Sequence, residues 1–305
     1  MTFRLAAWAP LVTLCLLLGC RGGERENPDS TRALPPVFPA SPVENTHWNS
    51  DAGPVMIAAT GSGIDSAMVI LPYATDSTID SLQSTAASTS GMRFDLFRRS
   101  GKIASGISVL PLSRTDTTRD CYSWPAAKLQ SSSESWQFGF VSGHAQTIAL
   151  DSIETLPSKD SASLAASITR SAATLPGTID PTFRGLPFRV RSAYTFQLDT
   201  MDVVVANVVR SVNEEAKPRV ENLLIFAERP RNSNGKFEVS YFTRSAGPEE
   251  STSVTGILGA VTVGSSRRPI VIVNVQYDEG GKFGFIERST TGKWNATWKS
   301  AYTDC

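Results

Sequence analysis

A mainly β fold with antiparallel hairpins is what this sequence predicts, and three observations predict it. Short alternating or β-branched runs recur from about residue 55 to residue 288. Gly- and Asn-containing turn pairs separate most of them. Only one long stretch carries helical spacing instead. Consecutive runs joined by tight turns form antiparallel hairpins, because parallel pairing needs long crossovers. An α+β body of two lobes, divided near Pro176, is the alternative.

The elements follow in order. Residues 55–59 pair with 67–71 across Gly61-Ser62-Gly63, and 93–99 with 103–110 across Ser100-Gly101. Residues 136–141 pair with 146–150 across Ser142-Gly143. An amphipathic helix is predicted over 158–175, with Leu164, Ala165, Ile168, Ala172 and Leu175 on one stripe. Ser158 or Asp160 caps its start and Pro176-Gly177 stops it. A shorter, weaker helical pattern covers 79–87. Then come 188–198 with 202–212, 222–228 with 236–243 across Asn234-Gly235, and 254–263 with 269–277 and 282–288, the last pair joined through Gly280-Gly281. Gly and Asn at these tips supply the positive φ of tight hairpins.

Composition bounds the class. Among 305 residues, 41% are hydrophobic and 9% aromatic, enough apolar surface to offset chain entropy and exclude global disorder. Lys plus Arg (29) equals Asp plus Glu (29), so no basic excess points to nucleic acid.

The first twenty residues carry the strongest signal. Arg4 precedes an apolar run from Leu5 to Leu18, broken only by Pro10 and Thr13. The run falls short of the ~20 apolar residues that cross a bilayer and reads as an export signal. Its end, Leu17-Leu18-Gly19-Cys20, resembles the lipobox of bacterial lipoproteins. The resemblance implies cleavage before Cys20 (residues 1–19 removed), a diacylglyceryl group on the Cys20 thiol, palmitate-type acylation and a membrane partner reached through lipid. Two or three acyl chains hold a protein on a bilayer where one does so only marginally. Arg21 is not the Asp that marks inner-membrane retention in that family, so the expected location is the cell envelope, at the outer membrane if the host has one. Residues 20–50 then form the lipidated Cys and a tether, with Pro35, Pro36, Pro39 and Pro42 favouring extended chain. The β-rich body is expected over 51–305.

Cys121 and Cys305 remain in the exported body. An even pair in an oxidising compartment reads as a disulfide. No third or fourth ligand stands at a metal-binding spacing beside them, and His47 and His144 are the only histidines, so neither metal nor cofactor is expected.

An internal echo links the later hairpins. Leu224-Ile225-Phe226 leads to Gly235-Lys236-Phe237, and Val271-Ile272-Val273 leads to Gly281-Lys282-Phe283, an interval of roughly 45 residues, within the range of propeller blades. The stretch Tyr277-Asp278-Glu279-Gly280-Gly281-Lys282-Phe283, followed by Gly292-Lys293-Trp294, resembles repeats of integrin-like (FG-GAP or VCBS type) propellers. That resemblance implies a degenerate β-propeller. It departs from the family in offering only Asp278 and Glu279 where a calcium loop has more acids, which argues against calcium.

Catalytic motifs are weak. Ser142-Gly143-His144 sets a serine beside a histidine, the seed of an exported serine hydrolase, but without an orienting acid. Ser233-Asn234-Gly235-Lys236 has Ser-x-x-Lys spacing at a hairpin tip rather than a helix start. Glu214-Glu215 and Glu249-Glu250 read as solvated loop charge, and Arg184, Arg189 and Arg191 as a solvated strand face. Trp294 and Trp298, with Tyr302, share one face of a strand or helix and form the candidate binding surface for sugar or peptide, with core packing as the alternative. The expected function is a lipid-anchored, non-catalytic structural or interaction module with an envelope protein or glycan as partner. A carbohydrate- or cell-wall-binding lipoprotein and an exported serine hydrolase are the alternatives.

Overall fold

In the computed structural model of the chain, the residues described are 47–59, 65–76, 89–111, 124–130, 134–177, 180–213, 217–233, 235–265 and 267–304. The lipobox, the tether to residue 46, the 79–87 pattern, Glu214-Glu215, Cys121 and Cys305 lie outside them. The body is mainly β and antiparallel, with one long helix among the described residues.

Six short strands close into a ring in the order β1-β2-β5-β4-β3-β6. They are β1 (Met56–Ala59), β2 (Ser66–Ile70), β3 (Arg93–Arg98), β4 (Gly101–Pro111), β5 (Ala126–Leu129) and β6 (Phe138–Val141). The β1–β2 and β3–β4 hairpins form as the turn chemistry predicts, Met56 opposite Ile70 and Phe94 opposite Ile107. Ring closure was not legible: β5 inserts between β2 and β4, and β6 joins β1 to β3.

The predicted hairpin of 136–141 with 146–150 does not form. Both edges of β6 are already bonded, to β1 and to β3, so no ladder remains for the next strand. The turn at Ser142–His144 is held instead by Asp95 of β3. Ser142 Oγ donates to its carboxylate at 3.0 Å and the Gly143 N–H at 3.3 Å. Strand β7 (Ala145–Ile148) therefore leaves the ring and pairs with β13 (Val254–Val263), Ala145 opposite Val263.

Two further sheets stack beyond the ring. The second has the order β12-β11-β10-β9-β8, from β8 (Asp151–Ser152) and β9 (Arg189–Leu198) through β10 (Met201–Val212) and β11 (Arg219–Pro230) to β12 (Glu238–Pro248). The third has the order β16-β15-β14-β13-β7, adding β14 (Arg268–Gln276), β15 (Gly280–Arg288) and β16 (Trp294–Lys299), with β17 (Thr303–Asp304) on β15. The Leu224–Phe226 and Val271–Val273 echo thus marks central strands of two different meanders. These stacked sheets and the closed ring are not a set of four-stranded blades, and the described topology departs from a propeller at that point.

Helix α1 (Ser158–Ala173) matches the predicted span to within a turn. Its cap differs: Pro157 stands at the N-cap without a side-chain bond, and Asp160 lies in the first turn, where its charge favours the helix dipole. The whole predicted stripe packs on the second sheet, Ile168 and Ala172 meeting Val204, Ala206, Leu223 and Ile225. That contact crosses position 176, so the body is not two lobes divided there.

The layers explain the apolar runs. The second sheet is covered by α1 on one face and by the third sheet on the other, where Phe196, Val205 and Phe226 meet Ile257, Val271 and Trp294. The opposite face of the third sheet packs its Val261, Ile270, Ile272 and Phe285 against the ring. Strands covered on both faces read as continuous apolar stretches, as Val203–Ala206 and Ile270–Val273 do. Close approach of ring and third sheet rests on Gly259, where an added Cβ would stand 2.5 Å from the Phe138 ring.

Candidate functional site

The aromatic trio singled out in the sequence is divided by the fold. Trp294 and Trp298 are each 2% exposed and belong to two different cores. Even spacing on a strand places side chains on one face, but β16 carries a bulge. Trp298 opposes Phe285 and Ala296 opposes Ile286, so Thr297 is an extra residue that reverses the phase. Trp294 therefore faces the second sheet and Trp298 the ring. The Trp294 indole donates to Glu228 at 2.5 Å and the Trp298 indole to the Pro72 carbonyl at 3.1 Å. Neither presents a ring to a ligand, and the surface expected from Trp294 and Trp298 is corrected to core.

Tyr302 stays half-exposed. It packs edge-on against Tyr277 at 5.9 Å, and Tyr277 is 44% exposed. The Tyr302 N–H donates to Asp76 at 2.6 Å, and Lys282 pairs with the same carboxylate at 3.2 Å. Partial burial pushes the Asp76 pKa up, but the Tyr302 N–H and the Lys282 ammonium outweigh it and hold the carboxyl below its ordinary range.

Beside this group lies a cavity of about 680 Å³, within the size range of ligand sites. Its walls are Met68 of β2 and Trp124 just ahead of β5 on the ring side, and Asn274, Gln276, Lys282 and Phe283 on the third sheet, with Tyr277–Gly280 at the hairpin and Thr303 at the edge. The β14 pattern explains its position. Ile270 and Ile272 fill the core against the ring, and the next two residues on that face are Asn274 and Gln276. The interface changes from apolar to polar there and opens. Two buried atoms of these lining residues have no hydrogen-bond partner, Trp124 Nε1 and Asn274 Oδ1. Trp124 is 3% exposed, and an unmade bond of this kind costs about 1–3 kcal/mol.

The other sequence candidates fall elsewhere. His144 uses Nδ1 on the Asp51 carbonyl at 2.9 Å and packs on Gly53, while Ser142 is bonded to Asp95. Among the described residues no hydrogen bond joins His144 to a serine. Ser233 Oγ accepts the Gly235 N–H at 2.9 Å, as a turn residue does. Glu249-Glu250, Asp278 and Glu279 are exposed, as are Arg184, Arg189 and Arg191. Among the described residues no three His, Cys, Asp or Glu side chains come together.

Two charged groups were missed by sequence reasoning. Buried Glu221 accepts from Arg210 at 2.5 Å and pairs with Arg244 at 3.1 Å, while Arg210 also donates to the Phe183 carbonyl at 2.9 Å. Asp180, which pairs with Arg219, has its pKa lowered by the Thr182 backbone N–H, the Thr182 hydroxyl and Arg219. These pin the 180–188 segment over the end of the second sheet. A second cavity of about 610 Å³ near Asp202 and Arg229 has those two charges already paired with each other at 3.2 Å. Of these two cavities only the first has unpartnered buried polar atoms on its described lining residues; the other such atoms, on Arg219, Glu221, Arg244 and Thr297, line neither. Compared with known protein families, characterised proteins and solved structures, the chain matches none.

Proposed function

We propose that this chain is a lipid-anchored protein of the cell envelope whose folded body is a non-catalytic binding module, with the Trp124–Asn274 cavity and its tyrosine rim as the binding surface. The observation that carries the reading is the pair of unpartnered polar atoms on residues lining a cavity whose mouth carries a half-exposed tyrosine. Cores satisfy their buried polar groups, and a site that leaves a donor and an acceptor unmet has room in its chemistry for a ligand. The anchor is supported by the order of Arg4, the apolar run, Gly19 and Cys20. The Cys121–Cys305 disulfide is supported by an even pair of cysteines left in a chain that carries an export signal.

Three measurements test this. Cys20→Ala should abolish acylation by mass and shift the protein from the membrane to the soluble fraction; an unchanged membrane fraction overturns the anchor. Maleimide should label neither Cys121 nor Cys305 in the denatured, unreduced protein; labelling of both overturns the disulfide. The full-length protein should be retained on isolated envelope material and lose retention with Tyr277→Ala; equal retention of the two overturns the assignment of the surface.

A further inference from the structure

We infer that the Trp124–Asn274 cavity takes a neutral N-acetylated sugar and reads its acetamido group. The inference rests on the binding-module reading and names its ligand class. Trp124 Nε1 on the ring side supplies one donor and Asn274 Oδ1 on the third sheet one acceptor. A secondary amide carries the complementary pair, one C=O and one N–H. Both protein atoms are closed to water, so the ligand must move the side chains over them. Met68 and Gln276, which line the cavity, are unbranched and change rotamer easily.

The rim selects among amide-bearing ligands. Tyr277 offers a broad apolar face with a polar edge, suited to the C–H face of a pyranose. Asp278 and Glu279 give the lining negative charge, and Lys282, the one cation among its described residues, is held by Asp76 at 3.2 Å. An anionic ligand is repelled and a neutral one admitted. A peptide also carries secondary amides, but strand addition needs a free edge. Here β14 is bonded to β13 and β15, and β15 to β14, β16 and β17; at the cavity β17 keeps an open edge, but its two residues are too few to carry a ladder. A sugar needs no ladder.

The test titrates the full-length mature protein in detergent micelles with chitotetraose, with cellotetraose (the same linkage with hydroxyl in place of acetamido) and with a blocked trialanine peptide. The readout is the indole N–H resonance of Trp124, assigned by its loss in Trp124→Phe. Chitotetraose should shift that resonance saturably and bind at least tenfold more tightly than cellotetraose. Tyr277→Ala should weaken it about tenfold. Asn274→Leu should erase the preference between the two sugars while thermal unfolding stays cooperative. Equal binding of both sugars, binding of the peptide alone, or no shift with any probe overturns the inference. Tyr277-dependent retention on envelope material without chitotetraose binding overturns the ligand class only; loss of both overturns the module as well.

Discussion

The two faces of the third sheet make opposite use of a tryptophan. On the face toward the second sheet, Trp294 lies among Phe196, Phe226 and Ile286, and its N–H reaches Glu228, which Arg288 also holds at 2.8 Å. The Trp294 N–H and both Glu228 carboxylate oxygens have partners. On the face toward the ring, Phe285, Trp48 and Trp298 pack together, but at the end of that core Trp124, which lines a cavity, keeps an unpaired N–H. Tight packing with polar satisfaction is what stability asks for. Tight packing with two polar atoms left over, next to open volume, is what binding asks for.

The comparison can be broken or sharpened by one deletion and four substitutions. The largest effect is expected from deleting Thr297. Without the bulge, Trp298 turns to the wrong face, and urea unfolding should show a loss of about 4 kcal/mol or more, on the scale of removing a buried tryptophan. A smaller loss would mean that the bulge does not set the phase. Glu221→Ala strands Arg210 and Arg244 in a buried site and should cost about 3 kcal/mol, with protease sensitivity appearing first near residue 184. The pair Trp294→Phe and Trp124→Phe tests the contrast itself. The first removes a satisfied, charge-assisted bond and should destabilise by about 1–2 kcal/mol, whereas the second removes an unmet donor and should change stability by less than about 0.5 kcal/mol, or raise it. Equal losses would erase the distinction between the two faces.

The smallest effect concerns acid. The folded pKa of Asp76 lies below its ordinary value of 3.8. Its contribution is therefore complete above the unfolded pKa and is lost as pH falls through the folded one. The Tyr302 amide resonance should titrate only below that ordinary value, and Asp76→Asn should flatten the curve. A midpoint above 3.8 would contradict the contact that holds Tyr302 at the cavity's edge.

Legibility differed between local and long-range features. The helix stripe from Leu164 to Leu175 and the hairpins of β9–β10, β11–β12 and β13–β15 were readable, because each depends on periodicity and a turn nearby in the chain. The β6–β7 hairpin misled, because the Ser142-Gly143 turn signal carries no information that β6 has both edges occupied. Of the candidate site, Tyr302 was named and Asn274 was within reach, since one face of β14 changes from Ile to Asn and Gln. Trp124 gave no signal; its importance comes from a partner it lacks, and only neighbours brought together by folding reveal that.

What the sequence by itself determined is therefore the menu of elements: strands by alternation, one helix by its stripe, and an N-terminus with the marks of lipidation as an expectation. Tertiary structure alone decided which strands meet, which face each tryptophan takes and where the interface opens. The reason is physical. Periodicity is set by backbone geometry within a few residues, whereas a closed ring, a one-residue bulge and an unpaired N–H are properties of contacts between segments far apart in the chain.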